Sequence, residues 1–203
     1  AKELLLTTNL PVRDIGFEIG QQSLGTFTTR FTERVGMTPG QFRDSRSQVR
    51  TYLQTLKTVH KWATLPEMDQ LFHVVQGTIQ SEVPFDGIIL VGLFNKPIPE
   101  GLPLYGTVLS SVGDFRFTNV QPGIYYLLTT AILWEMKDKE ILVPYRTLRA
   151  KSDQAIHVKP GGITPHQRLT LREPRLDDPP ILVSLPLLMN SFLNREFQDR
   201  NLK

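Results

Sequence analysis

Between Gly20 and Glu33 the chain carries a run of hydrogen-bonding side chains with no carboxylate among them: Ser23, Thr26, Thr28, Thr29, Arg30 and Thr32, with Arg34 just beyond. Hydroxyl and guanidinium groups donate to phosphate oxygens, and a guanidinium can also offer two donors to the O6 and N7 edge of guanine. The chemistry on offer is recognition of a polyanion with a groove, not bond breaking. Arg30 is the strongest single reader, since a bidentate pair with guanine discriminates by about 1–3 kcal/mol.

Other reactive residue types do not assemble. There is no cysteine, which removes disulfides, thiolate metal sites and thiol nucleophiles together. His60, His73, His157 and His166 show no i,i+4 pairing with one another. Asp69 with His73 and Asp153 with His157 are isolated pairs, and the second falls in an expected strand, where that spacing does not converge on a metal. No nucleophile elbow, P-loop or dinucleotide fingerprint occurs. Glu173, Asp177 and Asp178 sit among prolines and read as turn residues. The expectation is a protein that is not an enzyme, with no catalytic residue, metal or cofactor.

The elements that must position Arg30 are two short helices. Val12, Ile15 and Ile19 recur at helical spacing, Gly20 supplies a break, and Ser23 can cap a second helix in which Leu24, Phe27 and Phe31 form an apolar stripe. Thr38-Pro39 opens a third helix, and Val49, Tyr52, Leu53, Leu56, Val59 and Trp62 extend a helical pattern to about Ala63. A pair of amphipathic helices in any small bundle is the plain alternative. The sequence from LLLTTNLPVRDIG through Gly20 to Arg43, G-x-x-S-L-G-T-F-T-x-R-F-T-E-x-V-G-M-T-P-x-x-F-R, resembles the second helix-turn-helix of the AraC family of bacterial transcription regulators. That resemblance implies base-edge contacts from Leu24, Gly25, Thr29 and Arg30, and phosphate or sugar contacts from Ser23, Thr26, Thr28, Thr32 and Arg43 of double-stranded DNA. Gln21 departs from the pattern, standing where the family usually has an aromatic. Family members carry two such units joined by a central helix, so a chain opening at Ala1 reads as a fragment that begins inside that helix.

Charge agrees in direction. The net charge is +3 and the pI about 9.2, and residues 1–65 hold nine basic against five acidic residues, leaving the remainder close to neutral. An apolar share of 40% with 21% charged residues is that of an ordinary globular protein. No signal peptide appears, and no apolar run approaches the ~18 residues of a bilayer span, so a cytoplasmic location without membrane contact is expected.

Past Leu65-Pro66 the pattern changes to short Val-, Ile-, Leu- and aromatic-rich segments separated by turn residues: 73–79, 87–94, 106–110, 115–120, 123–133, 141–148, 155–158 and 168–171. About seven to nine strands at this spacing, without a clear helix among them, indicate an antiparallel sandwich. V-Q-G-T-I, D-G-I-I-L-V-G-L-F and G-D-F-R-F-T-N-V-Q-P-G-I-Y-Y-L resemble the prealbumin-like, carboxypeptidase-regulatory type of β-sandwich. The Pro97–Pro103 loop suits either recognition at one end of the sandwich or a rigid connection. Pro186 within the apolar 181–189 segment argues against one regular helix or strand there, and a short helix is expected from Asn190.

The expected organisation is α+β with two domains: a partial helix-turn-helix domain (1–50), a helical linker (51–65), an antiparallel sandwich (66–180), and an apolar segment with a helical tail (181–203). The expected function is a sequence-specific transcription regulator whose sandwich is an effector, oligomerisation or docking module. A small-molecule effector, a protein partner and a homodimer are left open. The alternative is a ligand- or carbohydrate-binding sandwich with the helical unit as a structural platform.

Overall fold

The computed structural model describes residues 1–59 and 73–201, with side chains described as far as 195. The expected linker beyond residue 59, the Leu65-Pro66 junction and His60 lie outside the described residues. The fold is α+β: a helical unit followed by two β-sheets. Helices α1 (Lys2–Thr7), α2 (Val12–Glu18), α3 (Leu24–Val35) and α4 (Pro39–Asp44) lead through a 3-10 turn (Ser45–Gln48) into α5 (Val49–Thr58). Among the described residues no helix is long and apolar enough to cross a membrane.

Local chemistry sets these helix ends. Gly20, at φ +79°, terminates α2: its N–H bonds to the Phe17 carbonyl and that of Gln21 to the Gly16 carbonyl, a closure that calls for a left-handed residue at this position. Ile19 therefore lies outside the helix and is exposed, not part of the buried stripe expected with Val12 and Ile15. At α4, Thr38 Oγ1 accepts the Gln41 N–H while Gln41 Oε1 accepts the Thr38 N–H, a reciprocal cap.

The strands are β1 (Val75–Ser81), β2 (Gly87–Phe94), β3 (Tyr105–Leu109), β4 (Gly113–Phe117), β5 (Gly123–Leu133), β6 (Arg149–Lys151), β7 (Ile156–Val158) and β8 (Gln167–Leu171). One sheet has the order β4-β1-β8. The other runs β3-β2-β5-β6, with β7 also paired to β5. The sandwich is not antiparallel throughout, because β1 pairs with β8 in parallel. The strand expected at 141–148 is absent as well. Glu140 Oε2 accepts the Lys137 N–H at 2.9 Å and starts a short helix, α6 (Asp138–Leu142), whose Ile141 and Leu142 are buried. Pro186 falls within the first turn of α7 (Leu185–Asn201), where a missing N–H costs nothing. The C-terminal helix thus starts before Asn190 and takes up half of the apolar segment.

Two buried clusters organise the packing. Ile89, Val91 and Leu93 of β2 face β1, β4 and β8 through Ile79, Phe115 and Leu169. Ile88 and Leu90, on the opposite face, join Val108 and Ile132 in a core shared with Phe42, Val49, Leu53 and Leu56 of the helical unit and with Met189 and Phe192 of α7. All eight residues of β2 are buried. The order of layers is sheet, sheet, helices.

Further contacts lock the layers. The Arg50 guanidinium pairs with Asp138 at 2.5 Å, and the Lys57 ammonium lies 5.6 Å from the centroid of the Trp134 ring. Asp178, expected only as a turn residue, accepts Arg172 at 2.7 and 2.8 Å and the Arg175 N–H at 2.7 Å. The Arg172 bonds hold its carboxyl well below the ordinary range, at about 2.

Phe42 is fully buried in the shared core. Phe42→Ala is expected to destabilise the chain by about 3–5 kcal/mol. Because the helical unit and the sheet share this cluster, the helical far-ultraviolet signal and the near-ultraviolet aromatic signal should move together in thermal melts. Separate transitions would contradict a core shared between helices and sheet.

Candidate nucleic-acid interface

Helix α3 is seated by Phe27, Phe31 and Val35, all buried. Gly16 of α2 makes the approach close, since a Cβ there would come within 3.2 Å of the Phe27 ring. Successive rings meet edge to face, with Phe31 5.7 Å from Phe27 and 5.7 Å from Phe42. Helical spacing then turns Thr29 and Glu33 directly away from the core, with Gly25 and Thr26 flanking them. Gly25, Thr26, Thr29, Arg30 and Glu33 are exposed. Leu24, expected both in the apolar stripe and at a base edge, is 43% exposed and lies outside the core.

The N-terminal end of α3 is open. Ser23 Oγ accepts the Thr26 N–H at 3.1 Å and lies 2.9 Å from Thr26 Oγ1, so these two hydroxyls are spent chiefly on the cap. The N–H groups of Leu24 and Gly25 have no partner among the described residues, and free amides at a helix start suit a phosphate oxygen. Thr32 donates its hydroxyl to the Thr28 carbonyl at 2.8 Å. Thr29 makes no side-chain hydrogen bond among the described residues.

Arg30 has a partner that the sequence flagged only as a departure. Gln21 Oε1 accepts from Arg30 Nη1 at 3.4 Å, a long bond that biases the guanidinium without consuming it. Gln21, the departure from the family pattern, therefore lies against the Arg30 guanidinium. Arg30 stands on the rim of a cleft of ≈ 840 Å³ between α1 and α3 on one side and residues 143–149 and 174–182 on the other. Arg34, Arg149 and Arg175 line the same cleft.

Arg43 points elsewhere. Its Nε donates to the Leu5 carbonyl at 3.2 Å and its Nη2 to the Leu10 carbonyl at 2.6 Å, holding α1 and the turn after it against α4. The side chain expected at phosphate instead spends two donors on backbone. Arg34 turns to Glu100, 3.8 Å away. The Pro97–Pro103 loop packs on the end of α3: the Gly101 N–H caps the Arg34 carbonyl at 2.7 Å, and the Ser184 N–H caps that of Val35 at 2.9 Å. Lys2 was not singled out from sequence. Its ammonium is tucked between the Val183 carbonyl, 3.3 Å away, and the Phe42 ring. One carbonyl and one ring face replace a hydration shell, and burial pushes this amine down to about 7.

Two outcomes follow from this geometry. Arg43→Ala should cost about 1–3 kcal/mol of stability by stranding two carbonyls, with little change in the salt dependence of DNA binding. A stable variant with a flatter salt slope would restore Arg43 to phosphate. For Lys2, the unfolded amine titrates near 10 and the folded one near 7, so the unfolded state binds more protons between those values. Stability should rise with pH across that window, and Lys2→Met should remove that part of the rise in denaturant titrations.

No metal-holding group of His, Cys, Asp or Glu side chains occurs among the described residues. No curated protein and no solved structure matches the chain. Residues 5–44, about a fifth of the chain, match the family model for bacterial regulatory helix-turn-helix proteins of the AraC family, and that match supports an AraC-type helix-turn-helix in the element that presents Arg30 and a DNA-binding regulator.

Proposed function

We propose that this chain is a sequence-specific transcription regulator that lays α3 in the DNA major groove, with the two-sheet part carrying the regulatory input. The observation that carries the reading is the outward face of α3. Gly25 and Thr29 leave a low surface that permits close approach to base edges, Arg30 flanks it, and open amides at Leu24 and Gly25 are placed for a phosphate. The match over residues 5–44 supports the same face. Base readers are proposed at Leu24, Gly25, Thr29 and Arg30. Among the hydroxyls, Thr28 is the better phosphate donor, since Ser23, Thr26 and Thr32 are engaged within the helix.

One helix-turn-helix offers few phosphate contacts, so binding is expected to be weak, to fall with salt in proportion to those contacts, and to gain from a second unit on a neighbouring half-site. The test is fluorescence anisotropy on a pool of random duplexes at low salt, followed by selection of bound sequences. Wild type should bind, and Arg30→Ala should lose about tenfold to a hundredfold in affinity for the selected sequences, with relaxed preference at one guanine. Absence of wild-type binding at low salt overturns the proposal.

A further inference from the structure

The outer face of the β3-β2-β5 sheet is not filled uniformly by the helices. Gly92 of β2 and Gly106 of β3 stand opposite each other in register, and both point their missing side chains to the face that packs on α7. The Phe94 and Pro103 rings lie within 3.2 Å of where Cβ atoms on these glycines would stand, and beside them a half-open pocket of ≈ 180 Å³ is walled by Leu90, Phe94, Pro103 and Leu128 and roofed by Leu188 and Phe192. An apolar cavity of ~150 Å³ is enough for one benzene ring. A space of this size, lined mostly by apolar side chains, suits one ring or a chain of about six carbons.

The mouth is polar on one side. Arg195 donates from Nη2 to the Gly106 carbonyl at 2.8 Å, which fixes the guanidinium at the edge of the hollow. Its Nε and Nη1 have no partner among the described residues, nor does the hydroxyl of Ser191, which also lines the space. A cation and a hydroxyl at the entrance of an apolar cavity are complementary to a carboxylate on an apolar body. We propose that this cavity is the binding site for a small apolar monocarboxylate.

The site is joined to the recognition helix. Pro99, Leu102, Val183 and Leu185 line the cavity, and the same two segments supply the Gly101 and Ser184 amides that cap the last carbonyls of α3. A ligand that moves either segment acts on the seat of α3. That regulatory consequence rests on the DNA reading. Carboxylate binding does not, and it is measured without DNA.

Isothermal titration of the full chain with hexanoate and with 1-hexanol tests the proposal. Wild type should bind hexanoate saturably at one per chain. Arg195→Gln, an exposed substitution that leaves the fold intact, should weaken hexanoate about tenfold and change hexanol less than about twofold. Ser191→Phe, with folding checked by circular dichroism, should abolish both. No saturable binding by wild type, equal hexanoate affinity in Arg195→Gln, or binding that survives in folded Ser191→Phe overturns the proposal. An anisotropy titration with and without hexanoate then reads the coupling: a changed DNA affinity supports it, and an unchanged one removes the regulatory consequence alone.

Discussion

The β3-β2-β5 sheet has to be dehydrated on both faces, and the rest of the structure depends on how that is done. Ile89, Val91 and Leu93 are covered by the other sheet, but Ile88, Leu90, Val108 and Ile132 need a second cover. Helices α4, α5 and α7 provide it through Phe42, Val49, Leu53, Leu56, Met189 and Phe192. Left bare, that face would be a contiguous apolar patch. The same burial that stabilises the sheet therefore fixes the helical unit to it, and α3 acquires a fixed seat.

The two ends of α3 are treated oppositely. At its C-terminal end the carbonyls of Arg34 and Val35 are capped by amides from the 98–102 and 181–184 segments, so this end is part of the packed body. At its N-terminal end Ser23 alone caps, and the amides of Leu24 and Gly25 face outward without partners among the described residues. Fixed behind and open in front is the arrangement a reading helix needs. Arginines divide along the same line: Arg43 and Arg50 bond to backbone or carboxylate within the body, while Arg30 keeps a free edge.

Much of this was legible from residue types. The Ser23 and Thr38 caps, the Gly20 break and strands at 87–94 and 123–133 are local effects, and local chemistry sets them. Phe115-Arg116-Phe117 and Leu169-Thr170-Leu171 alternate in the sequence itself, and both lie in strands with one wet face. The continuous apolar run of β2 held a further signal, since a strand without alternation is covered on both sides. What could not be read was non-local. The parallel β1–β8 pair, the inward turn of Arg43 and the Asp178 clip depend on partners 90, 38 and 6 residues away, respectively, whose identity no local pattern announces. The 141–148 segment misled because Ile141 and Leu142 suit a strand, and only the Glu140 cap three residues after Lys137 tips them into a helix.

The central claim is that α3 is the DNA-reading surface of a body held rigid by the doubly covered sheet. Amide hydrogen exchange with and without a saturating selected duplex tests it most directly. The account predicts added protection concentrated in residues 21–34, strongest at the start of α3, with β2 already protected and unchanged by DNA. Protection confined to the outer face of the β4-β1-β8 sheet, with residues 21–34 unaffected, would contradict it.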